Sequence, residues 1–214
     1  MQEKPNESTT TAREIVCSHN DGASIENSWT GDFGLTRWII FRHDGTGMLF
    51  GSRQFTIDVN MDFKWQVLDS GMDQPLQLGP TIPRKPQLLA EFRLQLDFDA
   101  VSPGKTKLDG KELMDRYPGP YKERNPGPRV FKIRLERLYC RPKEASSWLL
   151  PVHYEMRLVF EPSPYGTKED WDGVDMYMKA HTWGYWDDQE FVARKCPPPP
   201  ARTLPYIQDN CVVS

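Results

Sequence analysis

Residues 54–67 read QFTIDVNMDFKWQV, and the reading of this stretch decides the fold. Phe55, Ile57, Val59, Met61, Phe63, Trp65 and Val67 alternate with Gln54, Thr56, Asp58, Asn60, Asp62, Lys64 and Gln66 without a break. Successive side chains of an extended chain point to opposite faces, so a period of two means one long strand, or two in phase across a bend. Phe92, Leu94, Leu96, Phe98 and Ala100 repeat the pattern, as do Phe131, Ile133 and Leu135. Val152, Tyr154, Met156, Leu158 and Phe160 make a further strand, with His153, Glu155 and Arg157 expected on its solvent side. Parallel sheets covered on both faces read as continuous apolar runs. Strands with one dry and one wet face fit an antiparallel sheet curled around a single interior.

Outward from these strands the connections are short. Arg37–Phe41 and Met48–Phe50 flank His43-Asp-Gly-Thr-Gly47, where Asp44-Gly45 supplies a hairpin turn whose twist suits the strands. Consecutive strands are therefore neighbours, in up-and-down (meander) order. Asp175–Trp186 is a strand-like run of Met, Tyr and Trp, and Glu190–Ala193 could close the sheet. About seven or eight strands result, in an all-β, single antiparallel barrel, which is enough to hold one small ligand.

Proline supports the same class. Its 19 occurrences in 214 residues exceed the usual share of about 5% and nearly exclude a helical bundle. They gather in Gly71–Pro86, in a long Pro/Gly-rich insertion over Val101–Arg129 that contains Pro-Gly-Pro twice, and in the tail after Lys195. Only Gly110–Tyr117 of the insertion suits a helical turn. The insertion reads either as a plain surface excursion or as a lid, since Tyr117 and Tyr121 could pack on something. The expected organisation is a flexible lead-in over residues 1–22, a barrel over 23–195 and an extended tail over 196–214. Within the lead-in, Thr11–Val16 could form a short helix covering one barrel end.

A net charge of −3 offers no general basic field for nucleic acid, and no apolar run approaches the roughly 20 residues that span a bilayer. The N-terminus lacks an apolar signal core, so a cytoplasmic location is expected, with Cys17, Cys140, Cys196 and Cys211 as reduced thiols. The cysteine spacings and four scattered histidines match no metal site, and no nucleotide-binding glycine pattern or nucleophile elbow occurs. No cofactor is expected. Asp170-Trp-Asp172-Gly173 reads as a turn, since its carboxylates stop short of a calcium loop. The terminal Cys211-Val-Val-Ser214 fits the prenylation pattern, which would give weak membrane association. Chance is the competing reading, because the upstream residues are not polybasic.

The residues best suited to chemistry lie in one run. If residues 176–185 form a strand, Tyr177, Lys179, His181, Trp183 and Tyr185 share a face and Met176, Met178 and Ala180 the other. With the first face inward, Tyr177, Lys179 and His181 are candidate catalytic groups in an aromatic wall; with the Met face inward, His181 is a surface residue. Phe63, Trp65, Phe98, Tyr154, Trp183 and Tyr185, with Tyr117 and Tyr121 from the insertion, are candidate ligand contacts. Core filling is the competing role for any of these aromatics.

Trp29-Thr-Gly31, Trp38 and the Asp44-Gly-Thr-Gly47 hairpin, followed by amphipathic strands in meander order, resemble the lipocalin-like, or calycin, barrels over roughly residues 25–195. The chain departs from that family's Gly-x-Trp signature, because Trp29 precedes its glycine. The resemblance implies a cup for a small hydrophobic molecule. It extends to lipocalin-like proteins of natural-product biosynthesis, some of which act as cofactor-free cyclases or isomerases, which implies a polyene, polyketide or terpenoid substrate. A non-catalytic carrier of such molecules is the alternative, and an interaction module using the Pro-rich tail is a third reading.

Overall fold

The computed structural model describes residues 10–17, 28–32, 34, 36–53, 56–98, 107–108, 111–112, 127–142, 152–171 and 184–197. They form twelve strands: β1 (Thr10–Thr11), β2 (Trp29–Thr30), β3 (Arg37–Phe41), β4 (Thr46–Arg53), β5 (Thr56–Val67), β6 (Pro75–Leu76), β7 (Gln87–Asp97), β8 (Lys107–Leu108), β9 (Lys111–Glu112), β10 (Arg129–Cys140), β11 (His153–Glu161) and β12 (Glu190–Cys196). One α-helix, α1 (Ala12–Cys17), accompanies them. Eight strands close into one antiparallel ring in the order β10-β11-β12-β2-β3-β4-β5-β7. Walking round the ring follows the chain, so the architecture is an all-β meander barrel.

The hairpin that starts the meander is built from local polar chemistry. Gly45 takes φ of 82°, and the Asp44 carboxylate accepts from the Thr46 amide at 2.9 Å and its hydroxyl at 2.6 Å. These contacts hold the Asp44 carboxyl below its ordinary pKa, the Thr46 hydroxyl first and its amide second. The apolar phase of β5 then turns inward as expected, with Val59, Met61, Phe63 and Trp65 buried among Leu94, Leu96, Ile133, Leu158 and Phe160. Rings meet at their edges inside: Phe41 with Phe63 at 5.5 Å and with Trp65 at 5.9 Å, and Phe160 with Phe191 at 5.4 Å. Edge-to-face pairs add about 0.5–1.5 kcal/mol each beyond burial. Gly47 makes room for them, because a Cβ there would stand 2.2 Å from the Phe63 ring and 2.4 Å from the Ile40 carbonyl oxygen.

One end of the barrel is stopped by α1. Thr11 and Glu14 cap it reciprocally: the Glu14 amide donates to the Thr11 hydroxyl, and the Thr11 amide donates to the Glu14 carboxylate. Ala12, Ile15, Val16 and Cys17 are all fully buried in the main core, and the Trp29 indole N–H donates to the Val16 carbonyl at 3.0 Å. Burial pushes the Cys17 thiol up to about 12. Thus part of the sequence expected as a lead-in belongs to the core, in the plug position that the residues 11–16 pattern allowed.

Several local expectations are corrected. Tyr185 lies not in a strand but in a 3-10 turn over Tyr185–Asp187, entered through Gly184 at φ of 95°. A two-stranded ladder pairs Lys107 with Glu112 and Leu108 with Lys111, so Lys111 and Glu112 are strand where a helical turn was expected from Gly110. β7 ends at Asp97, with Phe98 in a bend, and Ala100 lies outside the described residues. His153 is buried, because Arg141 lies against its Nε2 at 3.2–3.3 Å and Cys196 of β12 stands opposite. The outer faces of β3 and β4 are dry as well: Trp38, Ile40, Met48 and Phe50 form a second apolar cluster, with Trp38 stacked on Phe50 at 4.8 Å. Among the described residues, no helix is long and apolar enough to cross a membrane.

Candidate functional site

The barrel end opposite α1 holds the most unusual chemistry. Arg37 begins β3 in the same phase as the inward Ile39 and Phe41, so its guanidinium stands where an apolar side chain would be expected. It pairs with Asp188 at 2.8 Å, the two side chains being 6% and 4% exposed. The guanidinium carbon also lies 5.2 Å from the centre of the Tyr185 ring, within cation–π range.

The described residues between β11 and β12, 162–171 and 184–189, deliver Asp188 and cover the pair. Ser163 fixes its two arms: the hydroxyl lies 2.9 Å from the Tyr185 carbonyl and 2.8 Å from that of Asp188, and shares its proton between them. Tyr165 donates its hydroxyl to the Phe50 carbonyl at 2.7 Å, and the Trp171 indole N–H donates to the Tyr165 carbonyl at 3.1 Å. Tyr185 packs between Tyr165, at 4.9 Å, and Trp171, at 5.7 Å. Its seat needs Gly51, which sits opposite Arg37 across β3 and β4; a Cβ there would come within 2.9 Å of the tyrosine ring. Arg129 forks onto Asp170 with two contacts of 2.7 Å and ties this cover to the start of β10.

Electrostatics follow from burial. The Tyr165 phenol is pushed well above its ordinary value, first by desolvation and then by nearby Tyr185, Asp188 and Asp32, with Arg37 opposing. It stays a proton donor at neutral pH. Asp32, buried beside the β2–β3 turn, accepts from the Thr36 amide at 2.8 Å and from the Thr36 hydroxyl. Hydrogen bonds from Arg129 first hold Asp170 below the ordinary carboxylate range. A cation, a carboxylate and phenols therefore share a dry, aromatic enclosure, which suits binding or proton transfer to a small molecule bearing a polar atom.

Of the aromatics singled out in the sequence, Tyr185 belongs to this site. Phe63, Trp65 and Phe98 are in the main core, where Phe63 meets Phe98 at 5.7 Å and the Trp65 indole donates to the Thr46 carbonyl at 2.9 Å. Tyr154 packs with Leu138, Cys140 and Val192 in a separate cluster, and burial raises its phenol pKa. Tyr177, Lys179, His181 and Trp183, Tyr117 and Tyr121, and Cys211 lie outside the described residues. Arg37, Asp188, Tyr165 and Trp171 went unnoticed in the sequence, although a charged Arg37 in the apolar phase of Ile39 and Phe41 is a readable signal. Among the described residues, no group of three or more His, Cys, Asp or Glu is placed to hold a metal ion. No protein-family model matches the chain, and neither curated proteins nor solved structures give a match.

Proposed function

We propose that the protein is a lipocalin-like barrel that takes up a small hydrophobic molecule of polyene, polyketide or terpenoid type and acts on it as a cofactor-free cyclase or isomerase. The observation that carries this reading is the buried Arg37–Asp188 pair beneath Tyr165, Trp171 and Tyr185. Removing two charges from water costs several kcal/mol per ion, and an apolar pair of similar volume would often stabilise a core as well or better. In this enclosure Asp188 would take a proton from a carbon next to a substrate carbonyl, and Arg37 would stabilise the resulting enolate oxygen. Return of the same proton to a second carbon shifts the double bond and restores Asp188. Entry requires the aromatic cover to part. Tyr177, Lys179 and His181 stand as further candidates on sequence grounds, and His181→Ala and Tyr177→Phe test them in the same assay.

Carriage without chemistry is favoured by one feature: the polar groups of the site already pair with each other or with backbone. A β,γ-unsaturated terpenoid ketone separates the two readings, because conjugation of its double bond raises ultraviolet absorbance. Turnover by the wild type that is lost in folded Asp188→Asn supports the enzyme. Saturable binding without turnover supports the carrier, and a barrel that neither binds nor converts such a ketone refutes both.

A further inference from the structure

The α1 end of the barrel carries a second charged cluster with a different balance. Arg137 and Arg141 stand at the end of β10 and just beyond it, Arg194 lies on β12, and His153 and Glu155 lie between them on β11. Glu155 is 3.7 Å from Arg137 and 3.8 Å from Arg194, ion-pair distances but too long for good hydrogen bonds. Arg141 rests on His153 Nε2, two residues along the same face of β11, so the three guanidinium groups line about 7 Å of that strand.

Counting formal charge over this group gives three cations against one carboxylate. Among the described residues, the rest of the face does not make up the difference, because Arg157 is already shared by Glu136 and Glu190, and Arg134 also faces Glu136. Lys195, beside Arg194, adds positive charge. Arg137 is the buried floor of the cluster, 6% exposed; its Nη1 donates to the Gly79 carbonyl, and its Nε is buried with no hydrogen-bond partner among the described residues. Arg194 is depressed from its ordinary pKa, first by burial and further by Arg137, in spite of Glu155. Arg141 is exposed and Arg194 is a quarter exposed, so one side of the cluster is open to solvent.

We propose that Arg137, Arg141 and Arg194 form an oxyanion site that binds a phosphate group, with Glu155 holding the arginines in place when the site is empty. Three planar forks along this stretch of β11 suit a tetrahedral oxyanion with several acceptor oxygens, and a surplus of two positive charges among the described residues matches a phosphate dianion. The site lies at the barrel end opposite Arg37 and Asp188 and is independent of the chemistry proposed there.

The test is titration of the full chain with inorganic phosphate at constant ionic strength, followed by calorimetry, with phosphatidic acid vesicles as a second arm. Arg141→Gln combined with Arg194→Gln alters two partly open positions and leaves the buried Arg137 in place. Saturable binding that weakens at least tenfold in this double variant, and tightens in Glu155→Gln, is the expected result. Binding to the vesicles alone, with the same dependence on Arg141 and Arg194, assigns the phosphate to a lipid headgroup and still supports the site. Equal behaviour of wild type and double variant toward both probes overturns the proposal.

Discussion

The Arg37–Asp188 pair makes a quantitative prediction about stability that differs from its contribution to chemistry. Replacing Arg37 by Met removes the cation beside the 4% exposed Asp188; replacing Asp188 by Leu removes the carboxylate beside a guanidinium that is 6% exposed and lies against the Tyr185 face. Each single variant removes one member of a buried ion pair and should lose about 3–5 kcal/mol, a large part of the roughly 5–15 kcal/mol that keeps a domain folded. Loss of the cation–π contact adds to the cost of Arg37→Met by about 2 kcal/mol or less. The double variant removes both charges and fills the space with apolar groups, so it should be much less destabilised than either single variant, or more stable than wild type by about 1–4 kcal/mol. Urea unfolding of all four proteins at pH 7 gives the coupling directly. A double variant whose loss equals the sum of the singles would refute the reasoning, because the pair would then carry no interaction. Singles costing under about 1 kcal/mol would refute it differently, by showing that water reaches the charges. If the double variant is folded and stable, yet has lost activity on the ketone, the pair is retained for its chemistry.

Other parts of the molecule give independent checks. Gly47→Ala should cost about 1–3 kcal/mol or more by thermal or urea unfolding, since the Ile40 carbonyl 2.4 Å from the new Cβ is backbone and cannot swing aside. Asp170→Asn should lose about 1 kcal/mol at neutral pH with the Arg129 fork. Because Asp170 is depressed in the folded protein, its contribution is present above the ordinary carboxylate pKa of about 3.9 and is lost as pH falls through the folded value. The gap between wild type and variant should therefore be constant from pH 5 to 8 and close below about pH 4 in acid unfolding curves; a gap that persists there contradicts the assignment. The thiols of Cys17, raised to about 12, and Cys196, raised to about 11, should alkylate far more slowly at pH 8 in native protein than in urea, as read by peptide mass spectrometry.

The barrel was legible because β5, β7 and β10 obey a rule in which each residue reports its own face. Phe63 and Trp65 point inward for the same reason that Lys64 points out. That rule weakens where the outside is also dry. On β11, His153 and Arg157 are polar residues in the outward phase, yet both are buried against partners on β12 and on or just after β10 that no local pattern announces. The candidate site was hidden for a related reason. Arg37 and Asp188 are far apart in sequence and meet only because the β11–β12 connection folds back over the barrel end. Tyr185 was singled out for its aromatic ring, but its environment comes from a 3-10 turn and from the gap left by Gly51, both invisible to a period-two reading.

The ring is not uniformly joined. Among the described residues, seven of its eight seams are backed by two or more paired residues, whereas β12 meets the two-residue β2 through the single register pair Val192 and Thr30. Bringing those two positions together requires most of the intervening chain to be in place, so closure bears a loop entropy that few local hydrogen bonds offset. The barrel can therefore be regarded as an almost complete curved sheet held shut by a clasp. The tryptophan next to that clasp, Trp29, is also the residue that grips α1. Loosening the clasp would release the plug in the same motion, joining the girth of the barrel to the opening of its floor.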